Sequence, residues 1–145
     1  MKFNLIIDSS CEEEIIAKVH SASDLTNKIE DLVMLYSGAD EICVKGDYEL
    51  LRLKYSDISC ITIIDRKIYV IDIKGNKYRS SGNLSEVYEK LPSYFIRINK
   101  STVANERHIS SFKTTFSGGI DAIFKCGYKD YVSRRCFADI KRRFK

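Results

Sequence analysis

The sequence predicts a mainly antiparallel β domain of the α+β class, with short helices at its margins. From residue 41 onward, apolar residues recur at every second position in short segments rich in Ile, Val and Tyr. Turn signals such as Asp65-Arg66 and Gly75-Asn76 separate these segments by only a few residues, which favours hairpins over crossover connections. At 145 residues the chain is also long enough to bury a core of its own.

The elements are placed by this pattern and by helix boundary signals. Gly75-Asn76 begins with glycine, which suits a two-residue type II′ hairpin turn. Asn83 begins a helix that ends before Pro92, and Ser133 is expected to cap a terminal helix. The buried side of that terminal helix is expected to carry Phe137, Ile140 and Phe144. The predicted strands are 41–47, 48–53, 58–64, 67–73, 77–80, 94–98, 108–112, 119–124 and 128–132.

Residues 1–38 are expected to form a small acidic β-β-α segment that precedes the β domain at 41–145. Residues 2–7 and 13–20 have the composition of strands, and Ser23 is a suitable N-cap for a helix. The helix has an apolar stripe at positions i, i+4, i+7 and i+8, formed by Leu25, Ile29, Leu32 and Val33. Because such a stripe needs covering, we expect the segment to serve in dimerisation or in sensing.

Charge is divided unevenly along the chain. The net charge of the whole sequence is +4. Residues 1–50 carry 4 Lys+Arg and 11 Asp+Glu, a balance of −7, whereas residues 51–145 carry 20 Lys+Arg and 9 Asp+Glu, a balance of +11. This asymmetry predicts a module that binds a polyanion, joined to a segment that does not.

Composition and motifs argue against several classes of protein. The five cysteines form no C-x-x-C pair and lie at no metal-ligand spacing from a histidine, so we expect reduced thiols, no metal and no cofactor. Motifs for nucleotide binding and hydrolysis are absent, and Ser101 with His108 makes a poor nucleophile–base pair. No apolar run is long enough for a membrane helix, and no signal peptide is evident. We therefore expect a cytoplasmic protein that is not an enzyme and does not insert into a membrane.

Several basic residues fall in predicted turns. Arg66-Lys67 lies in a hairpin turn, and Lys100 and Arg107 flank the run 101–105, which we expect to connect two apolar strands. Arg134-Arg135 follows Ser133 in the first turn of the terminal helix. A helix N-terminus carries about half a positive charge, so arginines there are unfavourable unless an anion binds. Arginine is also the side chain that donates two hydrogen bonds to guanine O6 and N7. Two solvated arginines remain the alternative.

Two motifs in the C-terminal half carry a resemblance to a known family. The run FIRINKSTVAN (95–105) fits the pattern F-x-R-x-x-x-S-x-x-x-N. The segment 123–144 contains a strand that ends in S-R-R before a short helix. Together with the upstream strands, these residues resemble the LytTR DNA-binding domain over roughly 41–145. The resemblance implies an elongated antiparallel β fold whose loops enter successive major grooves of DNA.

The resemblance also implies which residues bind DNA. In the family the contacts come from the first hairpin loop, from the loop before the S-x-x-x-N run, and from the arginine after the last strand. On this chain those positions are Arg66, Lys67, Asn99, Lys100, Arg134 and Arg135. Ser101 and Asn105 match the run itself, and we expect them to shape the loop through side-chain-to-backbone hydrogen bonds. Two features depart from the family: Lys67 stands where some relatives have histidine, and the chain carries no receiver domain.

The sequence therefore predicts a bacterial transcriptional regulator that binds double-stranded DNA sequence-specifically, reads the major groove with loops and turns, and acts as a homodimer. A regulatory protein partner is left unidentified. Two other classes remain open. An RNA-binding module would share the basic charge, but it would need exposed aromatic side chains or a recognised RNA-binding fold. A ligand-sensing or anti-regulator protein would act through residues 1–38 and leave the basic turns unused.

Overall fold

The computed structural model describes residues 1–38 and 40–143, and the mainly antiparallel β fold is confirmed. The helices of the described residues are α1 (Asp24–Ser37), α2 (Leu84–Lys90) and α3 (Arg134–Arg143). The strands are β1 (Glu41–Lys45), β2 (Leu50–Lys54), β3 (Ile58–Ile64), β4 (Lys67–Asp72), β5 (Lys77–Ser80), β6 (Phe95–Asn99), β7 (Thr102–Asn105), β8 (Ile109–Thr114), β9 (Ile120–Phe124) and β10 (Lys129–Val132). Single 3₁₀ turns at Tyr55–Asp57 and Glu106–His108 precede β3 and β8.

The strands form two antiparallel sheets that share a core. The larger sheet has the order β2-β1-β5-β4-β3-β7-β6, and the smaller has the order β10-β9-β8. One cluster of buried side chains, including Ile58 and Phe95, packs on the larger sheet beneath α2. A second cluster joins both sheets to α3 and includes Phe124 and Ile140, with Phe137 packed against it. Phe137 and Ile140 thus lie on the buried side of α3, as predicted, while Phe144 is outside the described residues.

Helix α3 lies along β6 and distinguishes two ends of the molecule. At the first end, the Ser133 N–H donates to the Ile98 carbonyl (2.8 Å). At the second end, the Arg143 guanidinium donates to the Ser93 carbonyl (3.1 Å) and to the carboxylate of Glu106 (3.1 Å). We call the first the N-cap end, because α3 begins there, and the second the α1 end, because α1 docks there.

Helix α1 begins at the predicted residue and docks on the β domain. Ser23 caps it in a capping box. Arg107 donates to Asp31 (3.0 Å), and the Ser93 hydroxyl donates to Glu30 (2.6 Å). These contacts join α1 to the segments directly before β6 and after β7. The acidic helix is therefore held at one end of the β domain.

The strands predicted at 2–7 and 13–20 are not formed, so the β-β part of the expected β-β-α segment is wrong. Every residue from 1 to 25 is exposed, and those preceding α1 are in no strand. An extended segment becomes a strand only when a neighbour satisfies its main-chain hydrogen bonds, and strand composition cannot supply that neighbour. The Asp8 carboxylate accepts hydrogen bonds from Ser10, which lowers the pKa of Asp8 and closes a local turn between the two segments.

The polar run 101–105 is not the connection that we expected. Thr102–Asn105 form β7, which is buried along its whole length between β3 and β6. Its polar side chains are satisfied internally: the Thr102 hydroxyl lies 2.7 Å from that of Thr62, and the Asn105 amide donates to the Ile58 carbonyl (2.9 Å). Only Lys100 and Ser101 remain between β6 and β7, so this connection is a tight turn.

The two hairpin turns of the central strands differ from each other. Asp65 and Arg66, with φ of 50° and 63°, form the two-residue β3–β4 turn, and two left-handed residues are what a type I′ turn requires. The β4–β5 connection is not the predicted type II′ turn. The Asp72 N–H donates to the Asn76 carbonyl (3.0 Å), which leaves a three-residue loop ending at Gly75 with φ of 88°. The Asp72 carboxylate accepts from the Asn76 N–H (2.8 Å) and so stabilises the longer loop.

We predict that Asn105→Ala lowers the free energy of unfolding by about 1–3 kcal/mol, because it leaves the buried Ile58 carbonyl without its donor. It also removes the acceptor of the Arg107 N–H. Urea unfolding followed by circular dichroism measures this loss. Asn4→Ala, at an exposed position, serves as the control and should change stability by less than about 0.5 kcal/mol. Equal stabilities for the two variants would show that Asn105 does not support β7.

Candidate nucleic-acid interface

The three turns that carry the predicted basic residues lie side by side at the N-cap end. The Ile63 N–H donates to the Ser101 carbonyl (2.9 Å), which places the β6–β7 turn beside the end of β3. The Asn99 side-chain amide donates to the Tyr131 carbonyl (2.8 Å), which places the same turn beside the end of β10. Since α3 follows β10 directly, the β3–β4 turn, the β6–β7 turn and the start of α3 form one row.

Five cations are exposed along this row, and we call them the basic edge. They are Arg66, Lys67, Lys100, Arg134 and Arg135. In residues 1–38 and 40–143, none of the five forms an ion pair. Cations at the α1 end are neutralised instead, as Arg107 is by Asp31 and Arg143 is by Glu106. Five exposed cations without a carboxylate partner among the described residues thus share the N-cap end, where together they attract a polyanion.

The start of α3 presents its arginines at a capped helix N-terminus. The Ser133 hydroxyl accepts from the Cys136 N–H (3.2 Å), and the Ser133 carbonyl accepts from the Phe137 N–H (2.8 Å). Arg134 and Arg135 occupy the first two helical positions and are exposed. The helix dipole opposes each of these charges by roughly a few tenths of a kcal/mol, and a bound anion would offset this repulsion because both the dipole and the arginines attract it.

Asn99, which we expected to contact DNA beside Lys100, is buried, with 1% of its surface exposed. Its Oδ1 accepts from the Ser101 N–H (2.8 Å), while its Nδ2 donates to the Tyr131 carbonyl. Both polar atoms are therefore bonded within the protein. Asn99 shapes the turn and joins it to β10, and the exposed side chain of the turn is Lys100.

The side chains of Ser101 and Asn105 do not shape the basic turn as we expected. Ser101 contributes through its main chain, and the side-chain bond that closes the turn comes from Asn99. Asn105 does bond to main-chain atoms through its side chain, but it does so at the α1 end of β7. It stabilises the 3₁₀ turn that begins at Glu106 and not the basic turn.

Two supports of the basic turn were missed by the sequence reasoning. Arg97 donates to the Lys100 carbonyl (2.9 Å) and thereby fixes the turn from the β6 side. The Thr102 hydroxyl donates to Asp130 (2.6 Å), which ties β7 to the smaller sheet. Arg97 is the arginine of the F-x-R-x-x-x-S-x-x-x-N pattern, so its fixed spacing from Ser101 was the available signal.

The residues that follow β7 lie far from the basic edge. The Arg107 guanidinium stacks over the Tyr94 ring, 3.8 Å from its centroid, and burial raises the pKa of Tyr94 to about 12. His108 Nε2 lies 2.6 Å from the Ser56 carbonyl. Because β7 separates His108 from Ser101, the two side chains do not form a nucleophile–base pair.

A family model and curated relatives match this chain. The model of the LytTr DNA-binding domain matches residues 48–145. HTH-type transcriptional regulators of Staphylococcus aureus strains NCTC 8325, COL and MRSA252, each named as uncharacterized, are 27% identical over 146 residues. Each alignment covers 99% of this chain and 97% of the relative. Helices α1, α2 and α3 are separated by strands, so the described residues of this chain contain no helix-turn-helix, despite the relatives' names.

A solved structure shows the same fold. The LytTr DNA-binding domain of a Bacillus cereus protein, described as a methyl-accepting/DNA response regulator, superposes with a TM-score of 0.65 at 19% identity. The superposition covers 72% of this chain and 96% of that chain. In the described residues, no helix is both long and apolar enough to cross a membrane. The match over 48–145, the shared fold and the predicted motifs agree, and the chain belongs to the LytTr DNA-binding domain family.

Proposed function

We propose that this protein is a transcriptional regulator that binds double-stranded DNA sequence-specifically through its basic edge. The family supports DNA binding, and the names of the S. aureus relatives support regulation of transcription. The observation that carries the proposal is the row of five exposed cations, contributed by three adjacent turns and unpaired among the described residues. The relatives are bacterial, and we place the activity in the cytoplasm, where bacterial DNA lies.

The turns are suited to separate tasks on the duplex. A hairpin tip and a helix N-terminus are both narrower than the major groove, which is about 12 Å wide. We assign base reading to Arg135 with Arg134, because arginine can donate two hydrogen bonds to guanine. Arg66 with Lys67 would enter the neighbouring groove, and Lys100 would contact phosphate between them. Asn99 and Ser101 would act indirectly, by holding the turn that presents Lys100.

The two other classes of function make different use of the same surface. An RNA-binding module would present the basic edge to a helix whose deep, narrow major groove excludes such turns. An anti-regulator acting through residues 1–38 would leave the basic edge without a ligand. A binding assay with duplex DNA, RNA and no nucleic acid therefore separates the three.

We predict that the full chain binds duplex DNA in preference to RNA of the same sequence, with strong salt dependence. About five phosphate contacts, made by Lys100 and by others of the twenty Lys+Arg in residues 51–145, would give a slope of log K against log salt of roughly −4 to −5, because each contact releases counterions. Affinity should then fall by a few hundred-fold, approximately, between ~50 and ~200 mM salt. Fluorescence anisotropy of a labelled duplex, with unlabelled duplex or RNA as competitor, measures both effects. A flat salt response, or RNA that competes as well as the duplex, would contradict the proposal.

We predict that Arg135→Ala and Lys141→Ala weaken DNA binding in different ways. Arg135 lies at the N-terminus of α3, so its loss should cost about 1–3 kcal/mol on the preferred duplex and relax the choice of one base pair. Lys141 lies near the opposite end of α3, over the Phe137 ring, and its loss should weaken all duplexes slightly and equally. Titrations with the preferred duplex and with its single-base variants test this. Equal losses on preferred and random DNA would limit Arg135 to phosphate contact.

We further propose that residues 1–38 form a homodimer contact and leave the basic edge free. One face of α1 docks on the β domain, but Leu32 and Leu35 on its outer side are 64% and 68% exposed. The preceding segment exposes Phe3, Ile6 and Ile7 as well. With 3 Lys+Arg and 7 Asp+Glu, residues 1–38 have a balance of −4, which disfavours contact with DNA. A second copy on this apolar surface would set the spacing of two half-sites.

We predict that the double variant Leu32→Asp, Leu35→Asp is a folded monomer, because four charges would be buried in each symmetric contact. Light scattering measures the mass, and circular dichroism confirms that the fold is kept. The control is Leu50→Asp, which alters a 70% exposed leucine on β2 and should keep the dimer mass. A wild-type chain of monomer mass, or a double variant that stays dimeric, would exclude this contact. If the wild-type chain is a monomer, the apolar surface of residues 1–38 would instead be a candidate site for a regulatory protein partner.

A further inference from the structure

We propose that the tip of the β8–β9 hairpin, with Phe116 at its apex, is a fourth DNA contact made by an apolar side chain in the minor groove. The proposal rests on the proposed function, since it assumes a duplex on the basic edge. Phe116 is fully exposed, at 114% of the reference accessibility, and no other large apolar residue in the described part of the chain exceeds this value. Its phenyl ring therefore packs against nothing in its own chain.

Strand pairing places this tip at the N-cap end. Val132, the last residue of β10, pairs with Ile120 at the start of β9, and Ile120 pairs in turn with Thr114 at the end of β8. The hairpin tip therefore projects from the same end of the smaller sheet as the start of α3. Neighbouring strands are about 4.8 Å apart, so β8 ends roughly 10 Å from the start of α3. The row of turns continues from the basic edge to Phe116.

The hairpin holds the ring in a defined place. The Thr115 N–H donates to the Gly119 carbonyl (2.8 Å), and the Gly118 N–H donates to the Thr115 carbonyl (3.0 Å). Gly118 has φ of 82°, a conformation that glycine adopts without strain. The hydroxyls of Thr115 and Ser117 lie 3.1 Å apart across the tip. A side chain carried on a closed hairpin loses less conformational freedom on binding than one on an open loop.

The chemistry of the tip suits DNA better than it suits a charged protein surface. Residues 114–119 contain no charged side chain, and three hydroxyls able to donate to phosphate flank Phe116 in the sequence. The hairpin tip between β1 and β2 also exposes an aromatic side chain, but its neighbours are charged. There Tyr48 is 102% exposed, but it stands between the carboxylates of Asp47 and Glu49, which phosphates repel. Of these two exposed aromatic tips, only that of Phe116 is adjacent to the basic edge and free of acidic neighbours.

The distance along the row indicates which groove Phe116 reaches. The major groove is about 12 Å wide, so arginines at its centre lie about 6 Å from either phosphate backbone. A contact displaced by roughly 10 Å along the row therefore falls beyond one of those backbones. Beyond that backbone lies the minor groove. Apolar side chains, phenylalanine among them, enter minor grooves by partly unstacking a base step. We therefore assign Phe116 to a base step in the minor groove next to the major groove occupied by Arg134 and Arg135.

The test uses the full chain and a duplex that the wild-type protein selects from a random pool. 2-Aminopurine is substituted at successive steps of that duplex, because its emission rises when a base is unstacked. We expect wild-type protein to raise emission at one step, and Phe116→Ala to abolish the rise. Phe116→Ala should also weaken binding about tenfold, the scale of losing one aromatic–base contact. The slope of affinity against salt should be unchanged, because no phosphate contact is lost.

Two further variants serve as matched controls. Tyr48→Ala removes an equally exposed aromatic ring from the other hairpin tip and should behave as wild type. Lys100→Ala should weaken binding and reduce the salt slope while keeping the emission change. Wild-type affinity and emission with Phe116→Ala would overturn this proposal alone. So would a Phe116→Ala variant that changes its mass in light scattering but keeps the emission rise, because Phe116 would then contact a second copy of the chain and not DNA. A wild-type protein that selects no duplex would instead overturn the proposed function.

Discussion

The arrangement of the N-cap end depends on one buried amide. Asn99 closes the β6–β7 turn with its oxygen and holds the last residues of β10 with its nitrogen, so this side chain joins the two sheets, with the Thr102–Asp130 hydrogen bond beside it. A buried amide without partners is costly, which makes this arrangement specific as well as stable. Because α3 follows β10, this side chain and the Ser133–Ile98 main-chain hydrogen bond together set the position of Arg134 relative to Lys100.

The two ends of the molecule differ in whether their arginines are paired with carboxylates. At the α1 end, arginines stand against carboxylates from distant parts of the chain, as Arg107 does with Asp31 and Arg143 with Glu106. At the N-cap end the five cations of the basic edge have no such neighbours within the described residues. The docking of α1 away from the basic edge lowers repulsion between the carboxylates of α1 and a bound polyanion. It also leaves the exposed apolar surface of α1 away from that polyanion.

Much of the fold follows from local sequence. Strand composition and turn signals locate β3 and β5 without error, because both kinds of signal are encoded within a few residues. Ser23 and Ser133 were correctly identified as helix caps for the same reason: a cap is a contact over three residues. The family motif and the charge asymmetry likewise predicted the kind of protein, since the matching family model covers the motif-bearing part of the chain.

Tertiary structure decided what local sequence could not. Thr102 and Asn105 look like solvated loop residues, but they are buried because partners 40 and 47 residues away satisfy their side chains. Residues 2–7 look like a strand, but a strand exists only where another segment pairs with it. The sequence by itself determined the β class, the helix caps and the family with its basic turns. Only the folded chain brought those turns into one row and turned Asn99 inward, because both results depend on hydrogen bonds between segments far apart in sequence.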